Sequence, residues 1–336
     1  MAKEKAVVVG AGGIAGAWFP PLKAEKINIV GIVDLDINRA KARLTDYQLD
    51  CPVGSNLRDM IRKTRPDFVV DLTVPAAHCA VTCTALQAGC HVIGEKPMAS
   101  SMAEARKMVA TARKTGKMYM VSQSRRWQAN EAVVRKTLSA GKIGTLTTVN
   151  CDFYIGAHFG GFRDVMASPL ILDMAIHQFD LARFMTGLDP VAVYAKEFNP
   201  KGSWYKGDVS AMAIFEMSNG VMFSFRGSWC SEGFSTSWNG DWRFIGDKGT
   251  LVYLHDQFPI GQVVESTGGF TSKLKDIQGL KVPMKFEGMH GALREMLAFL
   301  RTGRKPQTPC HDNIKSLAMV YGVIESSRLG KRVVLK

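Results

Sequence analysis

Val7-Val8-Val9-Gly10-Ala11-Gly12-Gly13-Ile14-Ala15 is an apolar run that breaks into a glycine turn and then into helix-forming residues. Residues 5–9 read as a short strand. Glycine lets the backbone turn tightly and approach a pyrophosphate, and the helix start beyond offers unpaired N–H groups to an anion. Gly10, Gly12, Gly13 and the small Ala15, with Ile14 between, keep the spacing of a dinucleotide fingerprint. A glycine motif alone is weak. This one follows a strand, and the next apolar run, 28–33, ends on an acid, Asp34, about 20 residues past the glycines. A carboxylate there accepts hydrogen bonds from ribose hydroxyls and repels a 2′-phosphate, which favours NAD over NADP. Arg39 keeps NADP open, since an arginine pairs with that phosphate; a plain helix cap is the competing reading of Asp34.

Working outward, 68–72, 92–93 and 118–121 are further strand-like runs, separated by helical stretches at 36–46, 75–89 and 101–115. Strands alternating with helices predict an α/β fold with a doubly wound parallel sheet. Near residue 122 the pattern changes. A helix at 129–140 leads into long alternating runs at 145–154, 190–198, 208–217 and 221–230, and Asn219-Gly220 and the 242–251 segment signal hairpins. Helices are expected near 170–186, 290–302 and 311–329. The domains expected are 1–122, binding the nucleotide, and 123–336, an α/β domain with a large, mostly antiparallel sheet that binds substrate.

With 336 residues and 46% apolar content the chain can bury two cores. Apolar runs fall short of the roughly 18 residues that span a bilayer, and the N-terminus enters a strand almost at once. No membrane partner and a cytoplasmic location are therefore expected. Seven scattered cysteines without CxxC pairs suit reduced core residues rather than a disulfide framework. The net charge of +13 is dispersed and lacks a nucleic-acid-binding signature, so it excludes nothing about an anionic small molecule while giving no support for nucleic acid.

Chemistry enters with Glu95-Lys96-Pro97, at the end of the apolar strand His91-Val92-Ile93-Gly94. Ligands of an open α/β sheet sit at such strand ends, so Lys96 is placed to meet cofactor and substrate. Downstream, Asp173 and His177 are spaced i, i+4 and share a helix face, an arrangement that relays a proton or orients a hydroxyl. No third ligand accompanies them, and no metal is expected. Arg125, Arg126 and Trp127 follow the last strand of the first domain. His158, Phe159, Phe162 and Arg163 lie in a glycine-rich loop, and Trp204, Tyr205 and Lys206 in another. Aromatic faces suit sugar rings and arginine suits an anionic group, so Arg126, Trp127, His158 and Arg163 are candidate substrate contacts; ordinary surface packing is the alternative for each.

Taken together, the glycine turn, Thr73-Val74-Pro75 followed by His78, Ala88-Gly89-Cys90-His91-Val92 running into Glu95-Lys96-Pro97, and Asp173 to His177 with Asp180 resemble the glucose–fructose oxidoreductase and inositol dehydrogenase family, Gfo/Idh/MocA, over essentially the whole chain. The resemblance implies a Rossmann domain, then an α/β domain whose open sheet makes an oligomer interface in a homodimer or homotetramer. It implies a cofactor-side place for Thr73, Pro75, His78 and Glu95, and a catalytic set of Lys96, Asp173 and His177. A cis peptide before Pro97 would be in keeping with it. Two departures stand out: Trp18 where histidine is common, expected to alter the cofactor wall, and Ser168-Pro169-Leu170 where glycines are common, which bears on the pocket's shape.

The expected activity is NAD-dependent hydride transfer from a secondary alcohol of a sugar, sugar acid or cyclitol, with His177 or Lys96 as base. The competing expectation is a redox-neutral glycosidase that oxidises a glycoside transiently, releases the aglycone and returns the hydride. A non-catalytic NAD-binding sensor is the reading from another class. The sugar, the carbon oxidised and the oligomer size are not written in the sequence.

Overall fold

The computed structural model describes residues 4–335. The chain divides into two compact units, Met1–Ser124 with Phe286–Leu317, and Arg125–Lys285 with Ala318–Lys336.

In the first unit β1 (Lys5–Val9), β2 (Asn28–Val33), β3 (Val53–Gly54), β4 (Phe68–Asp71), β5 (His91–Glu95) and β6 (Tyr119–Ser122) form one sheet in the order β3-β2-β1-β4-β5-β6. Every pairing is parallel. Val7, Val8, Val69, Val70, Val92 and Ile93 are buried without alternation, as a sheet covered on both faces requires. The connections are α1 (Ala15–Ala24), α2 (Ile37–Tyr47), α3 (Leu57–Thr64), α4 (Pro75–Gln87) and α5 (Met102–Thr115). Strand order reverses between β1 and β4, so the loops after these strands flank the crevice where such sheets bind ligands.

The second unit holds α6 (Ala129–Ser139), β7 (Leu146–Tyr154), α7 (Ile176–Thr186), β8 (Pro190–Phe198), β9 (Ser210–Met217), β10 (Met222–Ser228), β11 (Asp241–Gly246), β12 (Gly249–Tyr253), β13 (Ile260–Ser266) and β14 (Lys273–Gln278). With β15 (Val333–Val334) they make a nine-stranded sheet, β14-β13-β12-β11-β7-β10-β9-β8-β15. Its pairings are antiparallel except β7 with β10. One face is core: Phe215, Phe223, Phe225, Trp242 and Phe244 are buried, and Phe179 of α7 sits 4.9 Å from the Phe215 ring and 5.2 Å from Phe225. On the alternate residues Tyr194, Met212, Ile214 and Met222 stay exposed.

Neither unit is one continuous segment, where 1–122 and 123–336 would make each so. The helix α8 (Gly288–Thr302) belongs to the first unit, and α9 (Cys310–Leu329) to the first as far as Leu317 and to the second from Ala318. Glu25, just past α1, fixes α8 by accepting from Arg294 Nη1 at 2.8 Å and lying 2.8 Å from His290 Nε2. Periodicity shows which face a helix buries but not what it is buried against, so this return has no local signal.

Candidate active site

In the first unit the glycine turn is built from below. Gly10 has φ +94°, and a Cβ there would stand 2.7 Å from the Leu72 carbonyl, so only glycine fits. Asp34 Oδ2 accepts the Ala11 N–H at 2.6 Å and Oδ1 accepts the Asp36 N–H at 2.8 Å, bracing the turn from the end of β2. Arg43, which the sequence reading passed over, holds the other side: its Nε donates to the Ala11 carbonyl at 3.1 Å and its Nη2 to that of Gly12 at 2.9 Å. Arg39, four residues earlier on the same helix, pairs with Asp36 on the surface at 3.8 Å instead. Nothing in the local pattern separates these two arginines.

After β4, the Asp71 carboxylate accepts from Thr73 Oγ1 at 2.6 Å and Thr82 Oγ1 at 3.1 Å and lies 3.2 Å from His78 Nδ1. His78 is 1% exposed. The cofactor-side place expected for it is therefore corrected: it lies on the inward face of α4 and secures the strand end that carries Thr73, while Thr73 and Pro75 keep partial exposure. After β5, Glu95 is buried and accepts from Trp18 Nε1 at 2.7 Å and from the Lys96 N–H at 3.2 Å. Burial pushes the Glu95 carboxyl up, against these hydrogen bonds that favour its charged form. Trp18, expected as a wall of the cofactor site, is 0% exposed; its indole serves Glu95 from inside the core. Lys96 is half-buried, and the Lys96–Pro97 peptide is cis.

In the second unit a π-helical turn, Leu170–Ala175, carries Asp173 and runs into α7, whose second residue is His177. Such turns are rare and recur at functional sites; no composition rule marks this one in the sequence. Arg163 Nε donates to Asp173 Oδ2 at 2.6 Å, and its guanidinium carbon lies 4.9 Å from the Phe159 ring centre and 4.7 Å from that of Phe162. His158 stacks on Trp204 at 3.8 Å and lies 3.0 Å from Glu232, while Trp204 Nε1 donates to the Ala157 carbonyl at 3.0 Å. The structure thus brings Arg163, Phe159, Phe162 and Asp173 together.

Two expected substrate contacts fall elsewhere. Arg126 is 5% exposed, and its Nε and Nη2 each donate to the Asp180 carboxylate at 2.7 Å. Trp127 is buried beside it. Both are corrected to packing roles, because the chain after β6 turns inward and not along a surface. Neighbouring Arg125, partly buried, donates to the Trp238 carbonyl and, at 3.8 Å, to Met174 Sδ; Gln178 Nε2 reaches the same carbonyl at 3.0 Å. Glu131, near enough for its charge to act on Arg125, accepts from the Tyr253 hydroxyl at 2.9 Å, and burial pushes its carboxyl up to about 7.

Residues 5–123 match the family model of the oxidoreductase family with an NAD-binding Rossmann fold, and residues 132–252 that of the GFO/IDH/MocA C-terminal domain. The chain belongs to the Gfo/Idh/MocA family. It is similar to the D-apiose dehydrogenase of Paraburkholderia graminis, 28% identical with 92% of this chain and 83% of that one covered. It is similar also to the 1,5-anhydro-D-fructose reductase of Ensifer adhaerens, 23% identical over 96% of each. In fold it is similar to the crystal structure of an oxidoreductase from Agrobacterium radiobacter in complex with NAD+, L-tartaric acid and magnesium, at a TM-score of 0.86 and 22% identity over 99% of this chain and 98% of that one.

As a Gfo/Idh/MocA protein the chain is an oxidoreductase, and its first unit an NAD-binding Rossmann domain. The residues present fit that cofactor. A Cβ on Gly12 or Gly13 meets nothing within 4 Å, so these glycines keep a cradle open rather than relieve a clash. The helix beyond starts at Ile14 with no side-chain cap and no acid in its first turn, which leaves its N–H groups to a phosphate. No three His, Cys, Asp or Glu side chains group as metal ligands among the described residues, and no helix there is long and apolar enough to cross a membrane.

Proposed function

We propose that this protein, an NAD-binding oxidoreductase of the sugar-dehydrogenase type, oxidises a secondary alcohol of a sugar, sugar acid or cyclitol. NAD, when bound, supplies the hydride acceptor. In the proposed reaction the carbinol carbon gives up its hydride, the hydroxyl gives its proton to His177, and the C–O bond becomes a carbonyl, so that one NADH and one proton accompany each ketone formed. Lys96 and Asp173 orient the hydroxyl and stabilise charge on its oxygen. Asp34 takes the ribose, the Gly12-Gly13 turn takes the pyrophosphate, and Thr73 and Pro75 line the nicotinamide side with Lys96, whose N–H is held from behind by Glu95.

The observation that carries the reading is the π-helical turn that leads Asp173 into α7 and puts it one turn ahead of His177, in a chain whose other unit binds NAD. The test is incubation with NAD and a panel of sugars, sugar acids, inositols and aryl glycosides, following NADH absorbance and aglycone release together. Stoichiometric NADH is expected. Aglycone release with NAD retained and no net NADH would replace the dehydrogenase by the redox-neutral glycosidase. A His177→Ala variant with near-normal oxidation would move the base to Lys96.

The exposed Tyr194, Met212, Ile214 and Met222 support a homodimer or homotetramer formed through the open sheet face; a monomer by light scattering would refute it. The seven cysteines, all free, support a reducing cytoplasm, which fractionation of expressing cells checks.

A further inference from the structure

Arg163 is more than a partner for Asp173. Its side chain is 31% exposed, and only Nε is used by Asp173; the two terminal nitrogens find no acceptor among the described residues. Phe159 and Phe162, each within cation–π distance of the guanidinium, are themselves exposed. Two aromatic rings beside a guanidinium leave its edge as the place for hydrogen bonds. Below them the Trp229 ring lies 4.9 Å from Phe159, and its buried Nε1 has no partner. A buried donor calls for an acceptor. The wall therefore offers hydrogen-bond donors and aromatic faces beside the Asp173 carboxylate.

We propose that the substrate carries a carboxylate, received by the terminal nitrogens of Arg163 while the Nε edge keeps Asp173 turned to the reacting hydroxyl. The inference rests on the carbohydrate-oxidation reading and narrows it to sugar acids. The planar fork matches a carboxylate, two N–H groups to two oxygens. Phe159 and Phe162 then exclude water from the ion pair and offer their faces to the sugar ring.

The experiment compares kcat/KM of the NAD-loaded protein for D-glucuronate, D-galacturonate and D-gluconate with that for D-glucose, D-galactose and myo-inositol. An aryl glucuronide is run beside the aryl glucoside with aglycone release followed. The acid-to-neutral ratio is expected to exceed one by about tenfold or more, the scale of a charge-assisted hydrogen-bonded pair. Arg163→Gln slows both sets because Asp173 loses the Arg163 Nε hydrogen bond, but the ratio should fall about 10- to 100-fold. Arg163→Lys, which keeps the charge and loses the fork, should fall between. A wild-type ratio at or below one, or a ratio unchanged in Arg163→Gln, overturns the inference and leaves the oxidoreductase reading standing. No turnover of either set, and no aglycone release, refutes the oxidoreductase reading and this one with it.

Discussion

Replacing Arg126 with alanine should cost the second unit its stability before it costs the enzyme its substrate. Arg126 and Asp180 meet through two hydrogen bonds of 2.7 Å, and both are buried. At ~4 Å between charges and an effective dielectric of ~20 the attraction is about 4 kcal/mol. Deleting one member leaves the other buried and uncompensated, which by direct measurement elsewhere costs about 3–5 kcal/mol. Arg126→Ala should therefore lower the urea midpoint of the second unit by an amount equivalent to about 3–5 kcal/mol. Asp180→Asn, which strands the arginine instead, should do nearly as much. Arg126→Met with Asp180→Leu, which removes both charges, should recover most of the loss. The assay is equilibrium urea unfolding followed by tryptophan fluorescence, with KM measured on the fraction that stays folded. A normal urea midpoint with a KM raised tenfold or more would refute the packing role and return Arg126 to the substrate.

Two further outcomes follow from the geometry. Gly13→Ala should leave stability within about 0.5 kcal/mol, since its Cβ meets nothing within 4 Å, yet lower NAD affinity about tenfold or more in titration calorimetry; unchanged affinity would remove the turn from the cofactor site. Burial raises the Glu131 carboxyl from 4.5 to about 7, so the native state holds this proton more tightly than the unfolded chain. Its contribution is complete below about pH 4.5 and is lost as pH rises through about 7, a loss of about 3 kcal/mol. Glu131→Gln keeps an acceptor for Tyr253 and should match the wild type near pH 5 and exceed it in stability at pH 8; parallel stability curves across that range would contradict the buried titration.

What was legible in the sequence was what neighbouring residues decide. The glycine turn, the alternation of strands and helices up to residue 122 and the Asn219-Gly220 hairpin all follow from spacing within one or two elements, and each is present. Contacts across long loops were not legible. Trp18 and Glu95 are 77 residues apart and Arg126 and Asp180 are 54 apart, and no local pattern says that either pair meets. The strands β13 and β14 escaped for a different reason. They lie at one edge of the sheet, largely exposed, and Lys273, Lys275 and Asp276 hide the apolar alternation that a half-buried strand would show.

Besides Asp34, four acids lie in or beside the quoted motifs, and burial sorts them. Asp71 is held by Thr73, Thr82 and His78, Glu95 by Trp18 and the Lys96 N–H, and Asp180 by the Arg126 fork, all three out of reach of solvent. A carboxylate so enclosed cannot exchange its donors for a substrate hydroxyl without a desolvated cation or hydroxyl losing its partner, a cost of about 1–3 kcal/mol per neutral group and more for a charge. Asp173 differs in kind: its side chain keeps 18% of its surface, and its partner Arg163 is itself within reach of solvent. A hydroxyl arriving there meets a carboxylate that solvent already reaches. This difference in access, more than the spacing of the motif, is the physical reason for assigning the chemistry to Asp173 and the scaffolding to Asp180, seven residues along the same helical run.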